Sequence, residues 1–137
     1  MPPRPRRGLV LIDPSYEIKT DYAAIPAKVA KALHKWREGI FTVWYPLLSE
    51  NRHRALLEGL RTLSAPCFAS ELQFRRRSRR AITGKARPGA VGLDSTGIAV
   101  INPPWQFDRA MMEATDALAG ALGGTARSSW LVSPLNE

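Results

Sequence analysis

Apolar residues in this chain fall into short blocks, and the stretches between them carry helical spacing. "GLVLID" (8–13) is a nearly continuous apolar run, the pattern of a strand buried on both faces of a parallel sheet. Thr20 and Asp21 then mark a helix start. Tyr22, Ile25, Val29, Leu33 and Trp36 follow at spacings of three and four, which puts them on one helical face. Pro26 predicts a kinked or separate first turn, and Gly39 a stop. "IFTVWYPLL" (40–48) reads as a second strand closed by Pro46, after which Ser49 caps a helix with Glu50 in its first turn.

Leu56, Leu57, Leu60 and Leu63 form the buried stripe of that second helix. "CFASELQF" (67–74) alternates well enough for a strand at a sheet edge, and a polar, glycine-containing segment runs on to Gly97. "IAVINPPW" (98–105) is a fourth strand ending in Pro-Pro. Phe107, Met111, Thr115, Leu118 and Leu122 trace a last helix, which Gly123 and Gly124 end, and "SSWLVSP" (128–134) is a short final strand. The alternation of strands and helices predicts an α/β fold with right-handed parallel crossovers.

At 137 residues the chain suits one domain, 1–137. Charge is what departs from an ordinary globular composition. Twenty Lys and Arg against twelve Asp and Glu give +8, which favours a polyanionic partner, nucleic acid first. The run "RRRSRRAITGKAR" holds seven bases and no acid: Arg75, Arg76, Arg77, Arg79, Arg80, Lys85 and Arg87. A solvated surface is the ordinary explanation of such a run. Its place beside the sheet's carboxyl end favours RNA phosphates, with Arg4, Arg6 and Arg7 adding to the patch, and the lack of an interleaved aromatic argues against base stacking.

Cys67 is the only cysteine, and His34 and His53 show no metal-ligand spacing, so no metal is expected. No apolar run is long enough to span a bilayer, and "MPPRPRRG" lacks a secretory apolar core. A reducing cytoplasm fits.

Candidate chemistry sits where the first strand runs into Asp13-Pro14-Ser15-Tyr16, since ligands of open α/β sheets gather beyond the strands' carboxyl ends. An exocyclic base amine is a weak nucleophile because its lone pair is conjugated into the ring. Asp13 and the Pro14 carbonyl can each accept one of its N–H bonds and turn the lone pair toward an electrophilic methyl group. Tyr16 can stack on a base taken out of its helix. Pro14 stiffens the turn.

Asp-Pro-Ser-Tyr resembles the (Asp/Asn)-Pro-Pro-(Tyr/Phe) motif of amino methyltransferases that use S-adenosylmethionine. With "RRGLVLIDPSYEIKTDY", "GIFTVWYP", "STGIAVINPPW" and "SSWLVSP" in that order, the chain resembles the RlmJ family of 23S rRNA adenine-N6 methyltransferases from Arg6 to its C-terminus. The resemblance implies S-adenosylmethionine as cofactor, 23S rRNA as partner, Asp13 as the catalytic residue bordering the cofactor, and Pro14, Ser15 and Tyr16 at the substrate. Ser15 replaces the family's usual second proline and loosens the turn slightly.

The expected fold is the C-terminal half of a class I, Rossmann-like methyltransferase sheet. The N-terminal cofactor-binding half, with its glycine-rich turn and ribose-binding acid, is expected to be absent; "GALGGTAR" (120–127) precedes no helix and is rejected as a nucleotide loop. Without that half the first strand should form an exposed hydrophobic edge.

Two other functions share these residues: a non-catalytic basic RNA-binding remnant, and a fragment of a DNA adenine-N6 methyltransferase. Asn102-Pro103-Pro104-Trp105 also fits the amine-binding pattern loosely, although strand, Pro-Pro and aromatic is more often a rigid exit. Trp36 and Trp44 are expected in the core, Trp105 and Trp130 are left open, and Tyr45 is a weak candidate for bordering cofactor or substrate.

Overall fold

The computed structural model describes residues 7–48, 50–74 and 95–134. In chain order these form β1 (Leu9–Ile12), α1 (Asp21–Lys35), β2 (Ile40–Pro46), α2 (His53–Arg61), β3 (Cys67–Gln73), β4 (Ser95–Ile101), α3 (Phe107–Leu122) and β5 (Thr125–Val132). The mixed α/β character expected from the sequence is present. The five strands make one sheet in the order β1-β2-β4-β3-β5.

Parallel crossovers hold for the first three strands, since β3 runs in the direction of β1 and β2 with β4 between β2 and β3, but β4 and β5 run against them. Only β1 and β2 pair in parallel; β2–β4, β3–β4 and β3–β5 are antiparallel. A connection of residues 74–94 can serve a hairpin as well as a crossover, so spacing alone could not set the direction of β4. Nor is β3 an edge: it lies between β4 and β5 and is buried along most of its length.

The apolar side of α1 packs on α2, and both lie over one sheet face with Phe41, Val43, Tyr45, Cys67, Ala69, Ala99 and Ile101. Tyr22, Ile25, Val29 and Leu33 are buried as their spacing predicts. Pro26 is accommodated inside α1 and lies against α2: a Cβ on Gly59 would stand 2.5 Å from Pro26 Cγ, so only glycine fits there. The second helix starts later than expected. It begins at His53 with Arg52 as its N-terminal flanking residue, and Glu50 pairs with Arg52 ahead of the helix; Ser49, the expected cap, lies outside the described residues.

On the other face, α3 covers β3 and β5. Its buried line runs through Thr115 and Ala119, while Leu118 and Leu122 are exposed, contrary to the predicted stripe. Small residues let the helix sit close to the sheet, where the Thr115 and Ser70 hydroxyls lie 2.7 Å apart. Gly123 ends α3 in the left-handed conformation, as expected of its position.

Over β1 this second face is uncovered. Leu9 and Leu11 are 64% and 65% exposed, because α1 and α2 occupy only the opposite face. The pattern of a strand buried on both faces is therefore not realised here, whereas the hydrophobic edge is: β1 is the terminal strand.

Candidate functional site at the carboxyl end of the first strand

The last parallel pair of β1 and β2 is Ile12–Val43, and the chain leaves the sheet at Asp13. Asp13 and Ser15 are exposed and Pro14 is half-buried. Among the described residues the Asp13 carboxylate has no hydrogen bond or ion pair, so its oxygens are open to an incoming donor. Tyr16 has φ 55°, an unusual backbone for a ring-bearing residue, which turns its side chain back under the loop.

Tyr16 is not an open platform in this arrangement. It is buried, its ring is stacked on Tyr22 at 4.5 Å, and its hydroxyl donates to the Trp44 carbonyl oxygen at 2.5 Å. Burial, with smaller contributions from Tyr22, Asp13 and Asp21, raises its pKa, so the phenol is a neutral donor. A base can reach the ring only if Tyr16 gives up the face it shares with Tyr22.

Asn102 lies elsewhere. β4 runs opposite to β1, and Ile101 pairs with Phe41 at the amino end of β2, so the Asn102-Pro-Pro-Trp segment leaves the sheet at the far end from Asp13. The Asn102 amide donates to the carbonyl oxygens of Arg37 (2.8 Å) and Gly39 (3.1 Å). It fastens the turn into β2, the rigid-exit alternative.

The aromatic residues divide similarly. Trp36 and Trp44 pack against the core, and the Trp44 indole N–H donates to Thr96 Oγ1. Trp130 packs edge-on against Phe68, and Trp105 is 87% exposed. Tyr45 does not border an open site: it is fully buried, donates to Glu71 Oε1 at 2.9 Å and lies over the His53 ring.

A second concavity, of about 740 Å³, opens at the same end of the sheet between α2 and β5. Arg54, Arg61, Glu71, Gln73 and Arg127 line it, and the sequence reading passed over them. The available signal was the seven-residue spacing of Arg54 and Arg61, two turns along one face of α2. Arg75, Arg76, Arg77, Arg79, Arg80, Lys85 and Arg87, with Arg4 and Arg6, lie outside the described residues; Arg7 is exposed. Among the described residues no group of three or more His, Cys, Asp or Glu could hold a metal ion, and no helix is long and apolar enough to cross a membrane.

A family model described as ribosomal RNA large subunit methyltransferase D, RlmJ, matches residues 1–132. Two curated relatives, each named ribosomal RNA large subunit methyltransferase J, are similar over 96% of the chain. The one from Haemophilus influenzae is 31% identical over 133 residues, and the one from Escherichia coli 32% over 137. The chain spans 44% and 45% of their respective lengths. A crystal structure of a protein from Legionella pneumophila superposes with a TM-score of 0.76 at 26% identity, covering 94% of this chain and 45% of that one.

Proposed function

The chain belongs to the RlmJ family of ribosomal RNA large-subunit methyltransferases, and on that premise we propose that it forms the amine-orienting part of a cytoplasmic, S-adenosylmethionine-dependent adenine-N6 methyltransferase of 23S rRNA. The observation that carries the reading is Asp13-Pro14-Ser15-Tyr16 at the exposed carboxyl end of an edge strand, with the Asp13 carboxylate unengaged among the described residues.

In this reading the target amine donates one N–H to Asp13 and the other to the Pro14 carbonyl oxygen, which points the nitrogen lone pair away from both. S-adenosylmethionine supplies a methyl group already activated on a sulfonium. The nitrogen–methyl bond would form as the sulfur–methyl bond broke, and Asp13 or solvent would take the surplus amine proton. Holding the reactants in line supplies most of the rate. Tyr16 would stack on the flipped adenine after exchanging Tyr22 for the base, and Ser15 would border it.

The residues present fit the reacting end of such a cofactor, where Asp13 would stand. A glycine-rich turn and a ribose-binding acid are not found among the described residues. They would belong to a complementary half of a Rossmann-like sheet that continues along β1. The names of the relatives favour RNA over DNA as substrate.

The test joins this chain to that complementary half, fused or in trans, and follows methyl transfer to unmodified 23S rRNA. Asp13→Ala should lower transfer by at least about a hundredfold, the scale on which a lost oriented acceptor acts, while Asn102→Ala keeps most of it. An Asp13→Ala protein with full activity would overturn the assignment. Binding of S-adenosylmethionine by the 137-residue chain alone, measured by calorimetry, would show that the cofactor site is built from other residues.

A further inference from the structure

We propose that the cavity between α2 and β5 is a second RNA contact, which holds the phosphate backbone beside the target nucleotide; this rests on the reading that the chain acts on RNA. The cavity's two walls are both cationic. Arg54 and Arg61 project from one face of α2 together with Leu57 and Glu58, and Arg127 stands opposite on β5. None of the three guanidiniums is in an ion pair among the described residues. Two carboxylates, Glu58 and Glu71, stand in the cavity against three arginines, and Glu71 is also committed to the Tyr45 hydroxyl, so the lining keeps a positive excess. Three solvent-exposed cations border a space of about 740 Å³ and offer charge-assisted contacts to an anion that enters it.

Further polar groups stand in the same wall. Asn51, Gln73, Ser95 and Ser129 line the space, and His53 Nδ1 is a buried polar atom without a hydrogen-bond partner. Amide and hydroxyl groups of this kind suit phosphate, ribose and base-edge contacts together.

Position ties the cavity to Asp13. Gln73 pairs with Ser95 and Pro46 with Thr96, at the end of the sheet where Ile12 hands the chain to Asp13. From β1 to β3 is three strand spacings, roughly 14 Å, a reach of a few nucleotides along a single strand. A strand with its adenine at Asp13 would thus bring its neighbouring phosphates to Arg54, Arg61 and Arg127.

The test uses the 137-residue chain and a fluorescein-labelled single-stranded decaribonucleotide containing adenine, with anisotropy followed between 0.05 and 0.2 M salt. Arg61→Gln and Arg127→Gln should each reduce the salt slope by about 0.7 and weaken binding roughly fivefold at 0.1 M salt, as expected for one lost phosphate contact to a single strand. Lys28→Gln and Lys31→Gln, on exposed positions of α1, remove the same charge elsewhere and should change affinity much less. Thermal melting confirms that each variant is folded.

If the cavity variants bind like wild type, or no worse than the α1 controls, the cavity is not an RNA site, although the RNA reading itself survives. Competition by adenosine monophosphate as effective as by the oligonucleotide would overturn the proposal in favour of a free-nucleotide pocket. Wild-type protein that binds no RNA would overturn both readings.

Discussion

The Tyr16 hydroxyl donates to the main-chain carbonyl oxygen of Trp44, just past the last parallel pair of β1 and β2. One side chain thus continues the connection between two strands after β1 has ended, and it does so from within the candidate motif. The hydrogen bond holds the loop that presents Asp13, with Tyr22 stacked on the ring. Tyr16→Phe should cost about 1 kcal/mol, the net worth of one such bond. Tyr16→Ala should cost about 3–5 kcal/mol, since it also empties a buried aromatic seat. Urea unfolding of the two variants checks both figures, and a neutral Tyr16→Phe would mean that the ring alone fixes the loop.

Asn102 makes a complementary case at the other end of the sheet. Its backbone is left-handed, with φ 55°, and its amide bridges two carbonyl oxygens in the turn before β2. Asn102→Ala loses both hydrogen bonds and also places an alanine in a region that costs a non-glycine residue about 1–2 kcal/mol. The predicted loss is about 2–4 kcal/mol for Ala, with Asn102→Gly falling short of it by roughly 1 kcal/mol. Chemical denaturation gives the comparison. Equal losses would mean that the backbone conformation carries no cost.

These two residues also show how far the sequence could be read. Asp13 and Asn102 each end a strand with a proline following and an aromatic beyond, and residue type separates them poorly. What separates them is strand direction, which depends on how residues 74–94 return the chain to the sheet and leaves no periodic trace. The long apolar periods of α1 were legible because packing reads them directly, and so was the glycine stop of α3. The buried line of α3 was legible as far as Thr115 and not beyond it, where the small Ala119 rather than Leu118 or Leu122 meets the sheet. The α2–β5 cavity escaped because its arginines come from elements distant in sequence and converge only when β5 is laid beside β3.

His53 predicts a pH dependence. Burial is the main cause of its lowered pKa, Arg54 lowers it further, and Glu71 opposes both. The imidazole therefore binds its proton less readily folded than unfolded. Its contribution to stability is fully present above the unfolded value near 6.5 and is lost as pH falls through the lower folded value. Denaturation midpoints should drop as pH falls from 7.5 to 5, and His53→Gln should flatten part of that slope. A slope unchanged in His53→Gln would assign the acid sensitivity to other groups.

The uncovered side of β1 leads to the last prediction. Leu9 and Leu11 are 64% and 65% exposed on adjacent outward positions of an edge strand, and Val10 between them is 37% exposed. An unpaired strand edge with an apolar face recruits another chain. The 137-residue chain should therefore self-associate with rising concentration in sedimentation velocity, and Leu9→Lys with Leu11→Lys should suppress this. Because both side chains face solvent, the double replacement should alter the chain's own stability by no more than about 1 kcal/mol. A complementary half laid over this face would reverse the economy: each leucine would then be buried, and its replacement would cost about 1.5–3 kcal/mol of the joined protein's stability. A chain that stays monomeric at high concentration, with a joined protein indifferent to both substitutions, would show that neither a second copy nor another half covers β1.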